Sequence, residues 1–390
     1  MESNLRSFHL ERFIENLSAQ EIKEFTHSGT DVSDYKWRNE LQKIVELREK
    51  KDWASLGKIL TLLPGSARLL GAEINSMYAM WQKKIINNPL ERLVLLTSDT
   101  EIANRIAAVL RAYFLAPQSS LPCSQVLVHS INGLQDKNPE HFQFKGLPNL
   151  IRILGAQARQ WSASHMAINA TGGYKAQIAF AVLFGQALSV PVYYKHELFN
   201  QIIAFPTTPF TIDLRLLENN LRFWANLAEP NAVFSFTQLQ ELDAPNLKNW
   251  ETILPLLETI SESNETYYAL SPLGLIYWEA LCTRKPDLEL EPIPATKNTG
   301  CRFRDDHYPK GFKIWAQRVN ERFPFITGCH SLDYSGQQSL SFGFTEDQGK
   351  IIGVYKDRTG FGARLEILTT CTNALERHYV VRVLNSWKIE

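Results

Sequence analysis

Between residues 93 and 194 the chain alternates short apolar runs with longer stretches of helical periodicity, and this alternation most constrains the fold. The apolar runs cover residues 93–96, 126–128, 165–168 and 191–194. Helical periodicity follows the first run, and helices are also predicted over 147–161 and 177–188. Strands that alternate with helices favour a doubly wound α/β domain with a parallel sheet.

A loop with two adjacent glycines joins the third predicted strand to the helix that follows it. Ligands of doubly wound sheets bind at the carboxyl ends of the strands, where helix N-termini offer unpaired N–H groups. Gly172 and Gly173 permit close backbone approach to a ligand, and Lys175 adds a positive charge. Asn169 and Thr171 add short hydrogen-bonding side chains. The pattern matches neither the GxxxxGK[ST] nor the GxGxxG loop. It predicts an anion site, and a tight turn without a ligand is the alternative.

A second polar loop follows the first predicted strand. It consists of Thr97, Ser98, Asp99 and Thr100. Because the carboxyl ends of parallel strands meet at one edge of a sheet, we expect this loop and the glycine loop to bind one polar ligand together.

Residues 91–215 resemble the CARF domains, the Rossmann-like sensors of type III CRISPR systems. The resemblance rests on segment 93–100, on the N-x-T-G-G-x-K run at 169–175 and on the VPVYYKHE run at 190–197. It implies a homodimer that binds a cyclic oligoadenylate across its two-fold axis, with cyclic tetraadenylate favoured over cyclic hexaadenylate. The contact residues it implies are Thr97, Ser98, Asp99, Thr100, Asn169, Thr171, Gly172, Gly173 and Lys175, with Asn132 and His196 as weaker candidates. Some CARF proteins also cleave their ring, and the sequence leaves this open here.

Composition sets the broad class of protein. A chain of 390 residues predicts about two to three domains. The balance of 41 basic and 41 acidic residues argues against a general nucleic-acid coat but allows a local basic patch. Five scattered cysteines without CxxC spacing predict neither a zinc site nor a disulfide framework, and no metal or cofactor is expected. With no apparent signal peptide and no apolar run long enough to span a bilayer, we expect a soluble cytoplasmic protein without a membrane partner.

Four regions are predicted along the chain. Residues 1–90 read as helical, 91–215 as the sensor, 216–295 as a connector and 296–390 as an effector. Residues 267–277 resemble the wing strand and closing helix of winged helix-turn-helix domains, with Ser271 as N-cap and Pro272 at the first helical position. A structural connector is favoured over DNA binding, because segment 246–257 contains a single basic residue, Lys248.

The last region resembles the small α+β ribonucleases of the RelE type. After a proline-rich linker at 286–298, a helix is predicted over 312–323 and strands over 340–344, 350–355, 365–370 and 379–384. The resemblance implies metal-independent cleavage of mRNA on the ribosome. The lysine pair usual in that family is not evident near 339–343. A HEPN-type match at Arg302 and His307 lies beside the linker, and a PD-(D/E)xK site lacks the lysine after Glu366, so both fit less well.

Cleavage of RNA by its own 2′-OH needs a base, cations that stabilise the phosphorane-like charge, and an acid for the leaving 5′-oxygen. Lys350, Arg364 and Arg377 are predicted to stabilise the phosphate, and His378 or Tyr379 to serve as acid or base. Lys356 and Arg358 are predicted to hold the RNA backbone. Residues 300–390 contain 13 Lys and Arg against 10 Asp and Glu. This is only modestly basic, so ordinary surface charges remain the alternative for each cation.

These readings predict an endoribonuclease of type III CRISPR antiviral defence that cyclic oligoadenylate activates allosterically. Its predicted partners are a second copy of the chain, mRNA and the ribosome, with residues 1–90 or the connector as a hypothetical ribosome-docking element. Two alternatives stay open at this point. One is a ring nuclease that degrades the messenger, and the other is a ligand-responsive DNA-binding regulator.

Overall fold

The computed structural model describes residues 1–387 except 28, 30, 136–137, 174, 197–200, 207–211, 243–249, 263–264, 305–306 and 336–342. The fold is mixed α/β, with parallel and antiparallel strand pairs. The chain divides into two compact units. The first contains Met1–Asp213 and Ser271–Thr283, and the second contains Leu214–Leu270 and Arg284–Glu390. The division into four regions predicted from sequence remains a prediction.

The first 82 residues are helical, as their periodicity predicts. The helices are α1 (Glu2–Arg6), α2 (Leu10–Glu15), α3 (Ala19–His27), α4 (Tyr35–Glu49), α5 (Trp53–Ile59) and α6 (Gly71–Gln82). Asp34 and Asp52 cap α4 and α5 by accepting backbone N–H groups of the first turn. Leu41, Ile44 and Leu56 are fully buried in one core that continues into the strands described next.

The α/β part of the first unit alternates strands with helices in the predicted order. Its elements are β1 (Leu90–Ser98), α7 (Glu101–Leu115), β2 (Cys123–Ile131), α8 (Pro139–His141), α9 (Leu147–Trp161), β3 (Ile168–Asn169), α10 (Lys175–Leu188), β4 (Val192–Tyr194) and β5 (Ile203–Ala204). A π-helical turn, Phe142–Gly146, leads into α9. The alternation therefore confirms an α/β arrangement.

Strand pairing in this part differs from one continuous doubly wound sheet. β1 pairs with β2 in parallel, β3 pairs with β4 in parallel, and β4 pairs with β5 antiparallel. Within the described residues these pairings form two separate sheets. The reason is local: β3 is only two residues long and offers few backbone groups for a further partner.

The second unit begins with a three-stranded antiparallel sheet flanked by helices. Its elements are α11 (Arg215–Glu218), α12 (Leu221–Ala228), β6 (Phe234–Ser235), α13 (Phe236–Glu241), α14 (Trp250–Ile253), β7 (Leu257–Glu262) and β8 (Glu265–Leu270), with strand order β6-β8-β7. The next helix along the chain, α15 (Pro272–Arg284), belongs to the first unit up to Thr283. The Ser271 hydroxyl accepts the Gly274 N–H at 3.1 Å, so the predicted N-cap is confirmed, with Pro272 at the first helical position.

The C-terminal part is a five-stranded sheet with two helices. Its elements are β9 (Cys301–Arg302), α16 (Phe312–Arg322), β10 (Ile326–Ser335), β11 (Gly343–Asp347), β12 (Lys350–Lys356), β13 (Gly362–Thr369) and α17 (Ala374–Ser386). The strand order is β11-β12-β13-β10-β9, antiparallel except between β9 and β10. The predicted helix over 312–323 and the strands over 350–355 and 365–370 are confirmed. Of segment 340–344, residues 340–342 lie outside the described residues.

One prediction for this part was wrong, and one strand was not predicted. Residues 379–384, expected as a strand, lie within α17, because Val380 and Leu384 are buried at a helical spacing of four. The β-branched run Val380, Val381 and Val383 favoured a strand locally, and tertiary packing overrides that preference. The ten-residue strand β10, which has no clear alternation of polar and apolar residues, was not predicted.

Candidate functional site

The first polar loop is held by hydrogen bonds to the end of the neighbouring strand. The Asp99 carboxylate accepts the Gly133 N–H at 3.1 Å, just beyond β2. The Thr100 hydroxyl caps α7 by accepting the Ala103 N–H, and it shares a 3.0 Å hydrogen bond with the Ser98 hydroxyl. Thr97 contacts the His129 carbonyl at 3.5 Å. Asp99 and Thr100 therefore fix the conformation of this loop through hydrogen bonds within the protein.

The glycine loop is shaped by Asn169 and Thr171. Oδ1 of Asn169 accepts both the N–H and the hydroxyl of Thr171, at 3.2 and 2.6 Å. Nδ2 of Asn169 donates to the buried Ser76 hydroxyl at 2.7 Å. The Lys195 N–H donates to the Thr171 hydroxyl at 3.0 Å, which joins the loop to the residue after β4. The side chains of Asn169 and Thr171 thus fix the conformation of the loop that precedes α10.

The glycines and Lys175 form the exposed part of this loop. Gly173 has a φ of +103°, which a side chain would strain, and a Cβ at Gly172 would meet nothing within 4 Å. Lys175 is exposed and is the first residue of α10, where the helix dipole favours an anion. Lys195, which sequence reasoning did not single out, is half-buried, and burial lowers the pKa of its amine. Tyr194 packs against His196, with ring centroids 6.5 Å apart.

The C-terminal sheet has one face of apolar core residues and a second face that combines charged side chains with the buried Ile352 and Val354. Leu365 and Ile367 of β13 are buried in one core with residues of α16 and α17. Because successive side chains of a strand point to opposite faces, Arg364 and Glu366 lie on the other face. The same alternation puts Lys350 and Lys356 of β12 there, since Ile351 belongs to the core. We call this second surface the outer face.

Strand register brings the side chains of Arg302, His330 and Glu366 into one row across the outer face. His330 of β10 lies directly opposite Glu366 of β13 on one side and opposite Arg302 of β9 on the other. The Lys350 ammonium lies 2.8 Å from Oε1 of Glu366. Glu366 has 14% of its side chain exposed, whereas Lys350 has 60% exposed. The row thus places a carboxylate between an imidazole and an ammonium.

Arg377, predicted to stabilise phosphate, lies on the helix side of the sheet and has two carboxylate partners. Its Nε donates to Glu346 at 2.7 Å and its Nη2 to Glu229 at 3.0 Å, and 14% of its side chain is exposed. Burial lowers the pKa of Arg377, but hydrogen bonds and charge from Glu346 and Glu229 outweigh it and raise the pKa overall. Glu229 also accepts the Ala374 N–H at the start of α17, at 2.6 Å. This guanidinium therefore links Glu229, the residue after α12, to Glu346 of β11.

A second ion pair lies beside the first. Arg222 of α12 pairs with Glu376 of α17, whose side chain is 0% exposed, and it donates to the Glu291 carbonyl at 2.8 Å. The other oxygen of Glu376 accepts the Thr372 N–H at 2.6 Å. Burial lowers the pKa of the Arg222 guanidinium. We call these four residues, Arg222, Glu229, Glu376 and Arg377, the connector clamp.

The remaining predicted catalytic and RNA-binding residues occupy separate places. On α17, His378 is 61% exposed with Nε2 3.6 Å from Glu346, and Tyr379 packs against Phe325 of the core. Arg358 lies exposed in the turn between β12 and β13. The sheet thus brings together Lys350, Lys356 and Arg364 on the outer face, and it separates them from Arg377, His378 and Tyr379.

The less favoured nucleases gain no geometric support. Arg302 lies on a strand, whereas a HEPN motif needs a helix. Asp357 accepts the N–H groups of Thr359 and Phe361 and thereby closes a turn. Among the described residues, no three His, Cys, Asp or Glu side chains are grouped so that they could hold a metal ion.

The segment proposed as a recognition helix for DNA lies partly outside the described residues, at 243–249. Its described remainder includes α14, which carries one charged side chain, the acidic Glu251. Acidic charge does not favour contact with a DNA backbone.

Comparison with known proteins gives one family for part of the chain. Residues 68–208 match the model of a family of CRISPR-associated proteins (Cas_APE2256). The matched segment contains both polar loops and helix α10, and it ends before the second unit. This part of the chain is therefore similar to CRISPR-associated proteins. Within the described residues, no helix has the length and apolar character needed to cross a membrane.

Proposed function

We propose that this protein is a ribonuclease of type III CRISPR defence that a cyclic oligoadenylate activates, with cyclic tetraadenylate as the preferred activator. The observation that carries the effector part is the outer face, where three predicted RNA-contacting cations, Lys350, Lys356 and Arg364, share a surface with Glu366 and His330. The similarity of residues 68–208 to CRISPR-associated proteins supports the biological context.

The sensor part rests on the glycine loop and the first polar loop. Asn169 and Thr171 hold the loop open, so the backbone of Gly172 and Gly173 and the first turn of α10 are available for an adenylate phosphate. Lys175 supplies the counter-charge. A cyclic oligoadenylate has rotational symmetry, which suits a site formed by the same residues of two copies of the chain. The proposed active form is therefore a homodimer.

The effector part rests on the chemistry of 2′-OH attack. Cations near the scissile phosphate stabilise the charge of the phosphorane-like transition state. Lys350, Arg364 and Arg302 extend across β12, β13 and β9 of one face, so RNA lying over these strands contacts all three. In this proposal Arg377 belongs to the connector clamp. It stabilises the sheet through ion pairs on the face opposite the RNA.

The proposed substrate is mRNA on the ribosome, as the RelE resemblance implies. The ribosome then supplies part of the substrate positioning. The test mixes the full-length protein with ribosomes programmed with a defined mRNA, with and without cyclic tetraadenylate, and maps the 5′ ends of the fragments. We expect cleavage that requires the activator and falls on the order of 100-fold in Arg364→Ala, as loss of a preorganised charge predicts.

Three control reactions make the outcome decisive. Naked mRNA tests the role of the ribosome, cyclic hexaadenylate tests the ring size, and the intact ring is quantified at the end. Activator-dependent fragments establish the proposed function. Intact mRNA together with degraded ring would replace it with the ring-nuclease alternative.

A further inference from the structure

The outer face carries two ionisable groups with a spatial relation that no sequence motif reveals, His330 and Glu366. They are 36 residues apart in sequence, yet they are direct cross-strand partners in the antiparallel pairing of β10 and β13. Cβ atoms of such partners lie about 4.5–5.5 Å apart, so the imidazole and the carboxylate project side by side from one face. Both stand among the cations proposed to bind the phosphate.

We propose that Glu366 and His330 are the general base and the general acid of the RNA cleavage reaction. This inference rests on the proposed function and names the groups that transfer protons in it. It also adds two catalytic residues that the predicted set, Lys350, Arg364, Arg377, His378 and Tyr379, did not contain.

Glu366 suits the base because its carboxylate is held in place and can accept a proton. Lys350 lies 2.8 Å from Oε1, which leaves Oε2 for the 2′-OH of the substrate. Only 14% of the side chain is exposed, so little water competes for it. In this arrangement the ammonium of Lys350 also lies close to the scissile phosphate. There it stabilises the negative charge of the phosphorane-like transition state.

His330 suits the acid because an imidazole ring nitrogen can carry a proton and donate it to an oxygen. In the reaction the 2′-oxygen forms a bond to phosphorus and gives its proton to Glu366. The bond from phosphorus to the 5′-oxygen breaks, and that oxygen takes a proton from His330. The products are a 2′,3′-cyclic phosphate and a 5′-OH, and water returns the proton from Glu366 to His330.

Arg302 completes the row, since it lies opposite His330 on β9. Its guanidinium carries a fixed positive charge that contacts the phosphate from the side of the leaving group. The helix-side candidates are placed less well for this role. His378 and Tyr379 lie on α17, and the sheet stands between that helix and the outer face.

The test compares two RNA substrates on programmed ribosomes under single-turnover conditions. One carries a normal phosphodiester at the cleavage position, and the other carries a 5′-bridging sulfur, a leaving group that needs no proton. The full-length variants are His330→Gln, Glu366→Gln and a matched control, His165→Gln, which changes an exposed histidine of the first unit. All reactions contain saturating cyclic tetraadenylate.

We expect His330→Gln to cut the normal substrate at least about 100-fold more slowly than wild type and to cut the sulfur substrate at nearly the wild-type rate. Glu366→Gln should be slow on both substrates. The ratio of the two substrates is measured within one preparation, so a partly folded variant does not distort it.

Several results would overturn the assignment. If wild type cuts RNA and His330→Gln retains its rate, the acid–base pair is wrong while the proposed function stands. Equal slowing of both substrates by His330→Gln assigns the histidine to structure or binding and likewise rejects its role as acid. If the wild-type protein cuts neither substrate, both the proposed function and the assignment of the acid–base pair are wrong.

Discussion

The two sides of the C-terminal sheet differ in how deeply their ion pairs are buried, as the 14% exposure of Arg377 and the 60% exposure of Lys350 show. On the helix side, Arg377 and Arg222 each have carboxylate partners, and the partner Glu376 is fully buried. On the outer face, Lys350, Lys356 and Arg364 share the described parts of β12 and β13 with a single carboxylate, that of Glu366, which pairs with Lys350. Arginines that look equivalent in the sequence are thus divided. The first set forms ion pairs with buried or half-buried carboxylates, and the second set is the one proposed to contact RNA.

The largest expected effect is on stability and concerns Arg222. In Arg222→Ala the buried Glu376 loses its counter-ion, and an uncompensated buried charge costs about 3–5 kcal/mol. We expect a loss of that size in the free energy of local opening of α17, measured by hydrogen exchange on the full-length protein. The double variant Arg222→Met, Glu376→Gln removes both charges and should recover most of it. A change below about 0.5 kcal/mol in the single variant would contradict the clamp.

The next prediction concerns Arg364 on the outer face, where we expect a loss of activity without a loss of stability. Arg364→Ala should slow activator-dependent cleavage on the order of 100-fold and change the free energy of unfolding by less than about 0.5 kcal/mol. Arg318→Ala, an exposed arginine of α16, is the matched control and should leave both quantities at wild-type values. Equal loss of cleavage in the two variants would show that the outer face has no special role.

Arg377 gives the most direct test of the comparison. Because its guanidinium is committed to Glu346 and Glu229, Arg377→Ala should destabilise the second unit by about 1–3 kcal/mol. Cleavage per folded molecule should stay within about threefold of wild type, measured at a temperature where the variant is folded. A 100-fold loss of cleavage without loss of stability would reverse the comparison and make Arg377 catalytic.

The smallest expected effect concerns the sensor. Lys175→Ala should weaken binding of cyclic tetraadenylate about tenfold at moderate salt, which corresponds to about 1.4 kcal/mol. Isothermal titration calorimetry at two salt concentrations measures this, and the difference from wild type should shrink at high salt. Lys83→Ala, an exposed lysine after α6, is the control. Unchanged affinity in Lys175→Ala would place the phosphate elsewhere.

Sequence reasoning succeeded where the signal was local. The alternation of strands and helices, the span of α9 and the Ser271 cap follow from periodicity and from single capping residues. It failed over 379–384, where a β-branched run lies in a helix, and at β10, which lacks a period-two pattern. In the first unit it predicted one sheet, and the described strands form two.

The candidate site was harder to predict because its contacts are remote in sequence. Arg377 and Glu229 are 148 residues apart, and no spacing rule connects them. His330 and Glu366 meet only because β10 pairs with β13, and β10 itself was not predicted. Lys350 and Arg364 could be named as candidates because each is a cation on or beside a predicted strand. Their separation from Arg377 depends on which face packs against the helices.

The connector clamp also limits how the C-terminal sheet can be exchanged between proteins. A recombination event that transferred residues 296–390 alone would carry the buried Glu376 and the carboxylate-bound Arg377 away from Arg222 and Glu229. The charges left behind and the charges transferred would both lack partners, at a cost comparable to the whole stability of a small domain. A protein that acquires the C-terminal sheet must therefore acquire Arg222 and Glu229 with it, on a segment that begins ahead of Arg222.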